Sequence, residues 1–209
     1  MNFKKVPLTA IRRLSIYARM LAGLEADGKQ QVSSRDLGET ASIPSTQVRK
    51  DLAYFGQFGK RGSGYSVKEL GFRLRKILGI DRAWNVALVG AGNLGRALFS
   101  YPGFSKQGFR IVAVFDNSPG KVNKSWKGTR IQSIKELSKT VREKNISIGI
   151  VAVPASGAQE VADEMCKAGI KAVLNFAPKR LKVPTGCMQA NVDLAIELEN
   201  FSYYLSKLR

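Results

Sequence analysis

Apolar and polar positions follow two different rhythms along the chain. Between residues 8 and 26, Leu14, Tyr17, Ala18, Leu21 and Leu24 recur at helical spacing, which predicts a helix with one apolar face. Gly28 stands where a C-terminal cap belongs. Ser33 and Asp36 have capping-box spacing and open a second short helix through Thr40, which Ile43-Pro44 ends. Ser45 or Thr46 is suited to cap a third helix, with Val48, Leu52 and Phe55 inward and Gln47, Arg49, Lys50 and Asp51 off the core face. The glycines from Gly56 to Gly64 exclude a helix and suit a hairpin with Lys60 and Arg61 at its tip. A further helix turns Leu70, Leu74, Ile77 and Leu78 inward and ends at Gly79.

From Trp84 the rhythm changes. Apolar runs at residues 86–89, 111–115, 148–153 and 172–176 alternate with helical stretches near 94–100, 133–144 and 156–168. Unbroken β-branched runs separated by helices predict a doubly wound parallel α/β sheet covered on both faces. The boundary falls near Leu78–Ala83, giving an N-terminal domain over 1–80 and an α/β domain over 81–192. Residues 193–209 then form an amphipathic segment with Leu194, Leu198, Phe201 and Leu205 along one side. Such a stripe must be buried on this domain or on a partner subunit.

Charge narrows the classes. Thirty-four Lys and Arg against sixteen Asp and Glu give +18, a surface drawn to polyanions such as nucleic acid or anionic lipid. The excess divides evenly, +9 in residues 1–82 and +9 in 83–209, so bulk charge does not locate a site. The chain has no histidine, which removes the commonest general base and metal ligand. Cys166 and Cys187 show no paired spacing and fit buried thiols in a reducing compartment better than a disulfide framework. With no long apolar run and no signal-like N-terminus, the expectation is a cytoplasmic protein without a membrane span.

Two segments carry chemistry. Gly90-Ala91-Gly92-Asn93-Leu94-Gly95 fits G-x-G-x-x-G between a predicted strand and a predicted helix, and Asp116 ends the next strand. Gly90 permits a tight turn, Gly92 lets backbone approach a pyrophosphate, and Gly95 lets the helix pack close to the sheet. The helix N-terminus offers free N–H groups to phosphates. Asp116 can accept from a ribose 2′-hydroxyl, favouring NAD(H) over NADP(H), although Lys121 lies nearby. A coenzyme-A-type binder would share the glycine turn but leave Asp116 without a ribose role. An NAD-dependent oxidoreductase would need an acid or base that no local arrangement such as Tyr-x-x-x-Lys supplies.

The second segment is the third helix. A helix-turn-helix places the N-terminal half of its second helix in the major groove. Ser45, Thr46, Gln47, Arg49 and Lys50 lie there; Arg and Lys suit guanine or phosphate, and Gln suits adenine. Lys60 and Arg61 at a hairpin tip suit a wing that reaches a phosphate or minor groove.

A winged helix joined to an NAD-type Rossmann domain resembles the Rex family of redox-sensing transcriptional repressors over nearly the whole chain. The matching stretches include Gln47-Val48-Arg49-Lys50-Asp51-Leu52, Tyr54-Phe55-Gly56, Gly59-Lys60-Arg61-Gly62, the Gly90–Gly95 loop and Tyr101-Pro102-Gly103-Phe104. Further on lie Phe115-Asp116, Val153-Pro154, Gly169-Ile170-Lys171, Asn175-Phe176-Ala177-Pro178 and Asn191-Val192-Asp193. The resemblance implies a homodimer with exchanged C-terminal helices, bound to an inverted-repeat operator and released when NADH binds. NADH/NAD+ would then be an effector, and the protein would not be an enzyme. The resemblance also implies a relay through Arg19, Tyr101 and Asp193, and cofactor contacts at Val153, Pro154, Tyr101 and Phe104. Where some members carry an aromatic after that aspartate, this chain has Leu194; the resemblance then implies an aliphatic side chain that would cover a nicotinamide face without stacking on it.

Overall fold

Helical periodicity builds the first of two compact units, which divide at Arg82/Ala83. The computed structural model describes residues 6–59 and 63–208. In the first unit α1 (Leu8–Ala26) buries Ala10, Leu14, Tyr17, Ala18 and Leu21. After β1 (Gln31–Val32), α2 (Ser34–Ala41) opens on the expected capping box, with the Asp36 N–H donating to Ser33 Oγ and the Ser33 N–H to Asp36 Oδ2. α3 (Ser45–Ala53) is capped differently from the expectation. Pro44 takes the N-cap position without a side-chain bond, and its carbonyl accepts from the N–H groups of Gln47 and Val48. Ser45 and Thr46 therefore lie inside the first turn, because the extended backbone that Pro44 favours already starts the helix.

The glycine-rich stretch contributes β2 (Tyr65–Ser66), whose antiparallel partner is the distant β1. Gly59 and Gly64, which flank the expected hairpin tip, lie against each other, and Gly64 also sits so close to the Val32 carbonyl that a side chain would not fit. Lys60 and Arg61, the expected wing tip, lie outside the described residues. α4 (Val67–Ile77) is capped by Ser66 and buries Val67, Leu70 and Leu74. Ile77, expected inward, is 37% exposed; Leu78 packs against the core in its place as the helix ends.

The second unit holds β3 (Trp84–Val89), α5 (Asn93–Ser100), α6 (Pro102–Lys106), β4 (Phe109–Asp116), β5 (Ser125–Trp126), β6 (Thr129–Ser133) and α7 (Leu137–Glu143). It continues through β7 (Ile148–Val151), α8 (Ala158–Lys167), β8 (Ala172–Asn175), β9 (Met188–Asn191) and α9 (Leu194–Lys207). Its seven-stranded sheet runs β5-β6-β4-β3-β7-β8-β9. Every pair is parallel except β5–β6. Apart from β5, this is the strand order of a Rossmann fold, reversing direction between β3 and β7. Period-two alternation explains the two layers. Ala87 and Val89 face a core with Leu137 and Val141 of α7 and Ala162 and Met165 of α8, while Val86 and Leu88 face one with Leu98 and Phe99 of α5.

Four elements of this unit were not expected. β5 and β6 join through Lys127 and Gly128, both at positive φ, as a two-residue type I′ turn requires. β9 is a short, largely exposed strand at the sheet's other edge, and α6 is a single turn opened by Pro102. The helix expected over 133–144 begins as a 3-10 turn, with α7 proper from Leu137 to Glu143.

A Cβ at Gly95 would fall onto the Gly90 carbonyl oxygen, which is backbone and cannot move aside. Gly95→Ala should therefore cost about 1–3 kcal/mol by overpacking. The drop should be read from urea unfolding, whereas Gly92→Ala, which meets open space, should leave the midpoint nearly unchanged.

Candidate functional site

At the carboxyl ends of β3 and β7, where the strand order reverses, the chain opens into a cleft of about 700 Å3. Open α/β sheets bind ligands at this point. The lining includes Gly90, Gly92, Asp116, Val153 and Pro154, five residues drawn from distant parts of the sequence. Gly90 adopts φ 108°, a left-handed conformation that L side chains avoid, and a Cβ there would strike the Ala152 carbonyl. Gly92 is the N-cap of α5 and has nothing within 4 Å of where a Cβ would stand. No side chain caps α5 and no acidic residue occupies its first turn, so its partial positive charge is left for an anion. Ala91 is buried, with Asn93, Leu94 and Gly95 opening the helix.

Asp116 ends β4 beneath this loop. Its Oδ2 accepts from the Ala91 N–H at 2.8 Å, its Oδ1 from the Ser118 N–H at 2.8 Å, and Lys121 Nζ lies 3.2 Å from Oδ2. Burial pushes the carboxyl toward its neutral form, but the Ser118 and Ala91 N–H groups and Lys121 outweigh burial and hold its pKa below the ordinary value. Three donors leave part of a carboxylate's acceptor capacity for a ribose hydroxyl. The glycine loop, the uncapped helix start and this carboxylate together fit a dinucleotide.

Other lining residues carry signals that sequence reading did not use. Ser118 follows Asp116, Lys135 lies after β6, and Ser156, Gly157 and Glu160 follow Pro154 at the start of α8. Residues that follow strand ends at a switch point were the available clue. Tyr101 and Phe104 are not in the lining. Tyr101 joins α5 to α6, is 57% exposed, and meets Phe104 edge-to-face with centroids 5.2 Å apart.

In the first unit α3 presents Thr46, Arg49 and Lys50 to solvent, with Ser45 and Gln47 half-buried. Arg49 Nη1 donates to Ser34 Oγ at 2.9 Å. Asp51 departs from the expectation: it is fully buried rather than off the core face. Arg13 grips it with two bonds, Nε to Oδ2 at 2.6 Å and Nη2 to Oδ1 at 2.7 Å. Tyr17 Oη donates to Oδ2 at 3.0 Å and Gln47 Nε2 to Oδ1 at 2.8 Å. Burial pushes the Asp51 carboxyl up, and the hydrogen bonds from Arg13, Gln47 and Tyr17 more than reverse it. Gln47 is thus engaged inside the unit, while Arg49 and Lys50 point outward. Arg19 is exposed on α1. Asp193 is the N-cap of α9, its Oδ1 accepting from the Ala195 N–H at 3.0 Å.

Comparison with known proteins places both units in one family. Residues 5–53 match the model described as a putative DNA-binding protein N-terminus. Residues 81–179 match the model described as a CoA binding domain. The redox-sensing transcriptional repressor Rex of Carboxydothermus hydrogenoformans is 48% identical, over 97% of this chain and 98% of that protein. The chain belongs to the Rex family. The Rex repressor of Desulforamulus reducens is also 48% identical, over 99% of this chain and 98% of its own. Among solved Rex structures, RSP in complex with β-NAD+ and operator DNA matches with a TM-score of 0.92 at 39% identity, over 97% of this chain and 93% of that one. RSP in complex with β-NADH matches with a TM-score of 0.86 at 37% identity, over 97% and 95%. The match to Rex spans both units, which the coenzyme-A reading of the second unit alone does not.

Two pH-sensitive locks follow from this geometry. Asp51 and Asp116 both have folded pKa values below the unfolded one, so their stabilisation is complete above the unfolded value and is lost as pH falls through the folded ones. The urea midpoint should hold steady from neutrality down to about pH 5 and fall below about pH 4. Asp51→Ala should lower stability by about 3 kcal/mol, since Arg13 keeps a quarter of its side chain in water. It should also flatten the acid limb of that pH profile.

Proposed function

We propose that this chain is a DNA-binding repressor that senses the NADH/NAD+ ratio, with the dinucleotide as an effector that is not turned over. The observation that carries the reading is the full-length likeness to Rex repressors, together with a cleft whose glycine loop and Asp116 suit a dinucleotide. In this reading residues 1–80 bind double-stranded operator DNA and 81–192 bind NAD(H). Residues 193–209 form a dimerisation helix exchanged between two copies. α9 supports the last point, since none of its residues is buried within its own chain and Leu194, Leu198, Phe201 and Leu205 all stand exposed. Among the described residues no helix is long and apolar enough to cross a membrane, and a repressor of operator DNA works in the cytoplasm.

Ser45, Thr46, Arg49 and Lys50 face the major groove, Gln47 steadies the helix as well as reading a base, and Lys60 and Arg61 reach the flanking phosphates. Gly90, Ala91, Gly92, Asn93, Leu94 and Gly95 cradle the pyrophosphate, Asp116 takes a ribose hydroxyl, and Val153 and Pro154 border the nicotinamide half. Tyr101 and Phe104 complete that pocket in the dimer, with Arg19, Tyr101 and Asp193 linking it to the DNA-binding unit. Capping α9 uses one oxygen of Asp193, so a relay through the other is compatible with it.

The physical basis is charge. Reduction removes the positive charge of the nicotinamide ring, so NADH enters an apolar pocket at lower cost than NAD+. NADH releases DNA only by binding the non-operator state more tightly. A hundredfold loss of operator affinity needs about 2.7 kcal/mol of coupling, and operator must weaken NADH binding by the same factor. Titrating NADH with and without an inverted-repeat operator should show that reciprocal loss; equal affinities would overturn the reading. In a mobility shift at moderate salt, Arg49→Ala and Lys50→Ala should each abolish specific binding. Asp116→Ala should weaken NADH while cofactor-free DNA binding persists.

A further inference from the structure

Cys166 and Cys187 are far apart in sequence and adjacent in space. Their sulfurs are 3.0 Å apart, with Cys166 Sγ donating toward Cys187 Sγ, and both thiols are free and half-buried. Cys166 lies in the last turn of α8, the helix whose Glu160, Val161 and Glu164 line the dinucleotide cleft. Cys187 closes a turn in which its N–H donates to the Pro184 carbonyl at 3.0 Å and Gly186 takes φ 93°. It is followed at once by β9, the edge strand that leads to Asp193 and α9. A thiol–thiol hydrogen bond is a weak interaction, and its strength gives little reason for the pairing.

We infer that Cys166 and Cys187 are a modification site, a dithiol that a peroxide converts reversibly to an intramolecular disulfide stapling α8 to the root of β9. A disulfide needs sulfurs at about 2.05 Å, so closure asks for roughly 1 Å of approach, within the reach of side-chain rotation next to a glycine-containing turn. The balance is complete with hydrogen peroxide as oxidant. Cys187 sulfur, after losing its proton, attacks one peroxide oxygen; the O–O bond breaks, leaving Cys187 as a sulfenic acid and releasing hydroxide, which takes that proton to become water. The Cys166 sulfur then displaces the sulfenic oxygen, which leaves with the Cys166 proton as a second water. The two sulfurs give up two electrons, and the peroxide is reduced. Burial first, and then the bond to Cys187, push the Cys166 thiol up to about 12, so it keeps its proton until the second step.

The full-length protein should be treated with a small excess of hydrogen peroxide and then assayed for free thiols. The two thiols per chain should both disappear and both return with dithiothreitol, and peptide mapping should join Cys166 to Cys187 within one chain. Thiols that persist, sulfinic acid in place of the disulfide, or a link between chains would each overturn the inference. Hydrogen exchange supplies the second readout. Amides of Met188–Asn191 should exchange more slowly after oxidation in the native chain, and the Cys166→Ser/Cys187→Ser protein should show no peroxide effect. Unchanged exchange in the oxidised native chain would overturn the staple.

Discussion

A carboxylate taken out of water must be given donors, and each unit of this protein is organised around one that is. Asp51 and Asp116 are both buried, and both are held ionised because hydrogen bonds outweigh the cost of burial. Asp51 ties α3 to α1 through Arg13 and Tyr17. Asp116 ties the end of β4 to the glycine loop through the Ala91 N–H. In both places the anchoring group is directional. It fixes the rotation and height of a functional segment in a way apolar packing alone does not, because a hydrogen bond is lost with small misalignment where a methyl contact is only weakened.

This arrangement separates what must be rigid from what must respond. The parallel sheet fills both of its faces with small and branched side chains, Ala87, Val89 and Phe115 on one side and Val86, Leu88 and Val114 on the other. It therefore gives the loops at its carboxyl ends a fixed base. On that base the cleft combines an uncapped helix N-terminus, a charged carboxylate and two lysines, Lys121 and Lys135. The uncapped helix start and the lysines favour an anion at that end of the cleft, while Glu160 and Glu164 line it as well. In the first unit the sorting is as sharp: α3 turns Val48 and Leu52 inward, and leaves Arg49 and Lys50 outward.

Much of this was legible in the sequence because the features that decide it are local. The capping box at Ser33, the apolar spacing of α1 and the glycine fingerprint each lie within a few residues, and each recurs in the structure as read. What escaped was non-local or polar. Asp51 reads as a solvent-facing charge until Arg13, 38 residues upstream, is seen beside it. The strand partner of β2 is the distant β1, a pairing that spacing among neighbouring residues does not reveal. β5 and β9 are short edge strands and β6 lies next to β5; few of their side chains are buried, and they offer little hydrophobic alternation. Among candidate site residues, the glycines and Asp116 were found because the motif dictates backbone shape. Lys135 and Glu160 line the same cleft without any motif, and Tyr101 and Phe104 are not among its lining residues.

α9 has a consequence for how this protein should be handled. A helix of 14 residues with no buried side chain has little reason to stay folded in isolation. If a second copy supplies its cover, folding and association become one equilibrium. The melting temperature then rises with protein concentration, and a chain diluted far enough loses its terminal helix before the sheet unfolds. Cellular copy number would act on such a protein as a stability variable in its own right.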